Sequence, residues 1–109
     1  MAEYSFEREC RTPHSESYAI ESENGDDIGR VDLHFTPSVA YATLCTSEGL
    51  TEDDVQELIG QIDERLVMTS DPYREDFVVT VWTGRESGVY SDEDDDEGDE
   101  DEEPENGRR

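Results

Sequence analysis

The chain has 109 residues, enough for one domain with one modest core, and its 32 acidic residues against 8 basic ones give a formal net charge of −24. That balance excludes nucleic-acid binding through clustered Lys or Arg and attraction to an anionic membrane surface, and no apolar run approaches the roughly 20 residues of a membrane span. The start, Met1-Ala2-Glu3-Tyr4-Ser5, lacks the basic and apolar stretches of a secretory leader, and two cysteines are too few for a disulfide scaffold, so a reducing, cytoplasmic setting is expected.

Residues 3–10 alternate Tyr4, Phe6 and Cys10 with polar partners, which suits a short edge strand. Residues 11–17 are polar, contain Pro13 and read as a loop. A hairpin follows. Tyr18, Ala19 and Ile20 open one arm, and Glu23-Asn24-Gly25-Asp26-Asp27 makes the turn, where Asn-Gly readily supplies positive φ. In the returning arm Val31, Leu33 and Phe35 alternate with Arg30, Asp32 and His34, so one face is apolar and the other wet. After Thr36-Pro37-Ser38, residues 39–45 form a strand that is apolar on both faces and is therefore expected centrally or under the helix.

Thr51 is the expected N-cap of a helix of about four turns, with Glu52, Asp53 and Asp54 complementing the dipole of the first turn. Val55, Leu58, Ile59, Ile62 and Leu66 fall on one face of it. Gly60 costs helix stability and is expected to allow close approach to a strand. Residues 69–76 read as a loop, which Arg74 is expected to anchor through carboxylates. Residues 77–83 are the strongest strand, after which Gly84 and Gly88 mark a turn and Val89-Tyr90 a last ladder contact. The expected fold class is α+β: an antiparallel sheet of about four strands with one amphipathic helix on one face, a two-layer sandwich.

The expected boundaries are a domain over 1–90 and a disordered acidic tail over 91–109. The tail holds 12 acids and two arginines, net −10, with no large apolar group to offset the entropy of ordering. The remaining 90 residues keep a net charge of −14, so the domain is acidic in its own right. Lysine is absent altogether. An acid-rich, lysine-free composition resembles that of proteins from salt-accumulating halophilic archaea, where molar salt screens charge to within about 3 Å. The resemblance is compositional, carries no functional residue, and describes the solvent rather than an activity.

Chemical signatures are sparse. Cys10, His14, His34 and Cys45 are the soft metal-ligand candidates, but they lack the paired spacing of structural zinc sites. A Cys45–His34 pair across neighbouring strands has no identifiable third group or oxyanion hole. No catalytic residue, cofactor or metal is assigned. The parity of Trp82 follows Val78 and Thr80, which places it on the sheet face away from the helix. Trp82, Tyr90, Tyr73 and Arg85 are therefore the candidate partner-binding residues. The expectation is a small non-enzymatic module that binds a protein partner or a second copy of itself. The alternative is an acidic mimic or antidote that uses the tail to block a basic nucleic-acid-binding surface.

Overall fold

In the computed structural model, which describes residues 3–92, the chain order is β1 (Ser5–Thr12), β2 (Ser15–Glu21), β3 (Asp27–Phe35), β4 (Val39–Thr46), α1 (Glu52–Ile62), a π-helical turn (Asp63–Val67) and β5 (Asp76–Thr83). Of the stretch expected as a disordered tail, residues 93–109 lie outside the described residues. The strands form one sheet in sequence order, β1-β2-β3-β4-β5. The first four make an antiparallel meander, and β5 runs parallel to β4. The expectation of about four antiparallel strands is met by β1–β4, and β5 adds a fifth, parallel strand, so the sheet is mixed. A tight hairpin reverses the chain, whereas the connection through α1 is long enough to carry it back and start β5 in the direction of β4.

Residues 11–17 are strand rather than loop. β1 runs to Thr12 and β2 starts at Ser15, leaving Pro13 and His14 as the turn, with the His14 carbonyl accepting the Phe35 N–H at 2.8 Å. Polar residues occupy strand positions here because their backbone groups enter the ladder whatever the side chain. The β2–β3 turn is built as its sequence suggests. Gly25 has φ of 87°, and the Ser22 hydroxyl accepts the N–H groups of Asn24 and Asp26, each at 3.2 Å. At Gly29 the constraint is stricter: φ is 153°, and a Cβ would run into the carbonyl of Cys45.

Alternation along the strands sorts the sheet into two faces. Tyr18 and Ile20, Val31 and Leu33, and Ala40, Ala42 and Leu44 are buried and form one core cluster with Leu58, Ile62, Leu66 and Val67. Thr51 caps α1 as expected. Its hydroxyl accepts the Asp54 N–H at 3.1 Å, and the Asp54 carboxylate takes the Thr51 N–H at 3.0 Å, a reciprocal capping box. The helix is shorter than the apolar stripe suggests, because its last turn widens to π geometry at Asp63, and this turn still delivers Leu66 and Val67 to the core. Gly60 does not serve close approach: nothing lies within 4 Å of the place its Cβ would occupy.

Two arginines tie the helical region to the sheet. Arg65 donates to the Tyr4 carbonyl at 2.6 Å and lies 4.8 Å above the Phe6 ring, while the Tyr4 N–H reaches Gln61. Arg74 grips both carboxylate oxygens of Asp63, at 2.8 and 2.6 Å, and so anchors the loop before β5 as expected. We expect Thr51→Ala to lower stability by about 1 kcal/mol in urea unfolding at fixed salt. Gly29→Ala should cost more, about 2 kcal/mol or above, because both its φ and its contact with β4 forbid a side chain.

Candidate functional site

The face of the sheet opposite the core is built from residues of the other parity. Register sets them in rows. Trp82, Cys45, Arg30 and Ala19 lie side by side across β5, β4, β3 and β2; Thr80, Thr43, Asp32 and Ser17 form the next row; Val78, Tyr41, His34 and Ser15 the third. The β2 and β3 part of this surface is polar, with Ser17 donating to Asp32 at 2.7 Å and Arg30 paired with Glu9 at 3.3 Å. The β4 and β5 part is uncharged, with Trp82 and Cys45 in one row and Val78 and Tyr41 in another, separated by Thr80 and Thr43. Trp82 is 62% exposed, and Tyr41 and Val78 are also exposed.

Of the four candidate partner-binding residues, Tyr73 lies at the opposite end of β5 from Trp82, whereas Arg85 lines a cleft with Cys45, the residue paired with Trp82. Trp82 sits near the end of β5, on the face its parity assigns. Tyr73 lies in the loop before β5 and is 90% exposed; six strand residues, roughly 20 Å, separate that end from Trp82. Tyr90 is equally exposed and folds toward its own segment, its hydroxyl beside Gly88. Val89 and Tyr90 add no ladder contact, which corrects that expectation: β5 ends at Thr83, and the Gly84 N–H makes a final bond to the Thr46 carbonyl at 2.8 Å. Arg85 lines a cleft of about 270 Å³ with Arg30, Glu9, Glu86 and Cys45 at the end of the sheet. Val78 and Tyr41 are exposed on the same face as Trp82, four strand residues or roughly 13 Å along it, and emerge as a pair only from the β4–β5 register. Their sequence signal was the apolar character of both faces of residues 39–45.

The possible ligand and nucleophile set is also dispersed. Cys45 stands opposite Arg30, whereas His34 stands opposite Tyr41, four strand residues or roughly 13 Å away. Cys10 lies on β1 opposite Ser17, and His14 is in the turn. Among the described residues no group of three or more His, Cys, Asp or Glu side chains is placed to hold a metal ion. No described helix is long and apolar enough to cross a membrane.

One buried acid stands on the core side. Glu16 accepts the Tyr18 hydroxyl at 2.7 Å and lies 3.7 Å from Arg11. These partners let a carboxylate sit beside the core near the β1 edge. The Tyr18 hydroxyl is raised above its ordinary value, first by burial and then by its hydrogen bond to Glu16; that of Tyr4 is raised by burial and by the acids Asp54, Glu57 and Glu23. Comparison with protein-family models, with curated protein sequences and with solved structures finds no match to this chain.

The raised tyrosines set an alkaline limit. The folded state holds these protons more tightly than the unfolded state does. Their contribution is therefore complete below the ordinary tyrosine value, about 10, and is lost as pH rises through the higher folded value. Denaturant midpoints measured across this range should fall with pH, and the fall should be shallower in Tyr18→Phe.

Proposed function

We propose that this chain is a non-enzymatic, cytoplasmic protein-interaction module with a surface adapted to high salt. In this reading the helix and sheet form two layers: the helix covers one face, and the uncharged half of the other face, on β4 and β5, receives a protein partner. The observation that carries it is the exposure of Trp82, Val78 and Tyr41 on adjacent strands of a chain in which 37% of residues are charged. Large exposed aromatic and aliphatic side chains on a rigid sheet are the usual anchors of protein association, because they bury much area at little cost in conformational freedom.

The surrounding chemistry supports binding over catalysis. Cys45 and His34 are separated along the sheet, and Arg30 is held by Glu9 and Asp32. The acidic-mimic alternative rests on the tail, and the two readings part on salt. Apolar docking survives or strengthens as ionic strength rises, whereas attraction between an acidic arm and a basic surface fades.

Trp82→Ala should abolish partner capture by the immobilised chain while leaving the unfolding free energy from urea titration within about 0.5 kcal/mol of the parent, as for an exposed residue. Removal of residues 91–109 should leave capture intact. The reverse pattern, with binding lost on tail removal and in high salt, would replace this reading with the acidic mimic.

A further inference from the structure

We propose that β5 pairs edge to edge with β5 of a second copy of this chain, antiparallel about a two-fold axis at Thr80, to make one continuous ten-stranded sheet. The inference rests on the interaction-module reading and names the partner. β5 and β1 are the two edges of the sheet, and they are built differently. β1 carries Glu7, Arg8, Glu9 and Arg11 and is interrupted by a bulge between Arg8 and Cys10. Charges and bulges are the devices that keep an edge from pairing. β5 has neither. From Phe77 to Thr83 it holds no charge, no proline and no glycine, and its register with β4 is unbroken.

The backbone fixes which groups are on offer. The Gly84 N–H points to β4, where the Thr46 carbonyl takes it, so in a parallel ladder the even-numbered residues Val78, Thr80 and Trp82 also turn their N–H and C=O groups to β4. The odd-numbered residues Phe77, Val79, Val81 and Thr83 turn theirs outward, and no described strand lies beside them. At Phe77 the Asp76 carboxylate takes the outward N–H at 2.8 Å.

An antiparallel copy centred on Thr80 matches this pattern. Val79 faces Val81 of the second copy and Phe77 faces Thr83, each as a hydrogen-bonded pair of odd residues. Thr80 meets Thr80 as a non-hydrogen-bonded pair on the axis. On the open face Trp82 lies beside Val78, covering two exposed apolar side chains at once. Val81, 40% exposed although its parity is that of the core face, gains a valine neighbour. Moving the centre to residue 79 would set Trp82 beside Asp76; moving it to residue 81 would set Val78 beside Gly84. At its ends the seam sets Asp76 of one copy beside Gly84 of the other, and beyond Thr83 the chain leaves the strand, with Gly84, Arg85 and Glu86 lining the cleft beside Cys45 and Arg30. A perpendicular two-fold axis keeps both helices on the same face and joins the two open faces into one.

The test uses the full chain. Two copies each carrying −24 repel, so sedimentation equilibrium should show a dimer that grows with concentration and tightens from about 0.1 M to about 2 M KCl as the charges are screened. Val81→Lys should weaken association roughly tenfold or more, because it places an unpaired charge in the seam. With Cys10→Ser and Cys45→Ala as background, Thr80→Cys should form an interchain disulfide on oxidation. Val78→Cys and Trp82→Cys should not cross-link alone but should do so when mixed. Amide exchange gives a readout without mutation: the Val79, Val81 and Thr83 amides should be protected in the dimer and exposed on dilution, while those of Val78, Thr80 and Trp82 stay protected throughout. A chain that remains monomeric at high concentration and salt, with alternating protection, overturns self-pairing and leaves the edge to a different protein. A dimer that is indifferent to Val81→Lys and gives no Thr80→Cys cross-link overturns the β5 seam. Full protection of the outward amides in the monomer means the chain covers its own edge, which overturns the pairing while Trp82-dependent capture still tests the broader reading.

Discussion

A single core cluster is shared by one helical region and a sheet of five strands, and it closes the middle of the sheet but not its edges. Five strands span about 19 Å across, whereas a helix with its side chains is about 10 Å wide. The inward residues of the middle strands are accordingly sealed: Ile20, Val31, Leu33, Ala40 and Leu44 have no exposed surface. Toward either edge the shelter runs out. Phe6 on β1 and Phe77 and Val79 on β5 are half-buried, and Val81 is open.

The two flanks are completed unequally. On the β1 side, Arg65 and Gln61 reach over to the backbone of Tyr4, the Arg65 guanidinium covers Phe6, and Glu16 is satisfied by Tyr18 and Arg11. Polar groups finish what apolar area cannot. On the β5 side the only comparable cover among the described residues is at the start of the strand, where Arg74, fixed by Asp63, lies 5.8 Å from the Phe77 ring. At the far end of β5, Val81 and Trp82 are exposed, at 40% and 62%. In so heavily charged a chain, the uncharged, half-covered run from Phe77 to Thr83 is the feature on which the proposed pairing rests.

What could be read from the residues depended on how local the governing physics was. The alternation of Val31, Leu33 and Phe35, the Asn24-Gly25 turn and the Thr51 cap are decided within a few residues and were legible. So was the parity of Trp82. The strand character of residues 11–17 was hidden, because pairing through the backbone asks little of Arg11, Ser15 or Ser17 as side chains. The parallel course of β5 depends on where the chain returns after α1, which no local pattern records. Gly60 suggested a close contact that the packing does not make, and Val89-Tyr90 suggested a strand where the ladder had already ended at Thr83. The grouping of Tyr41 and Val78 with Trp82 required the β4–β5 register, whereas Tyr73 and Tyr90 were singled out by residue type and lie apart from it.

Acidity and the apolar edge bear on each other. A strongly negative chain resists association in dilute salt at long range, so contact between copies depends on places where charge is absent from the seam. Among the sheet edges β5 is that place, with no charged residue from Phe77 to Thr83. Screening removes the repulsion and leaves burial of Val79, Val81, Val78 and Trp82 as the net driving force, one that salt strengthens. In the proposed dimer that acidic composition makes pairing conditional on the solvent. It also confines pairing to one edge, because β1 keeps its charges and its bulge at any ionic strength.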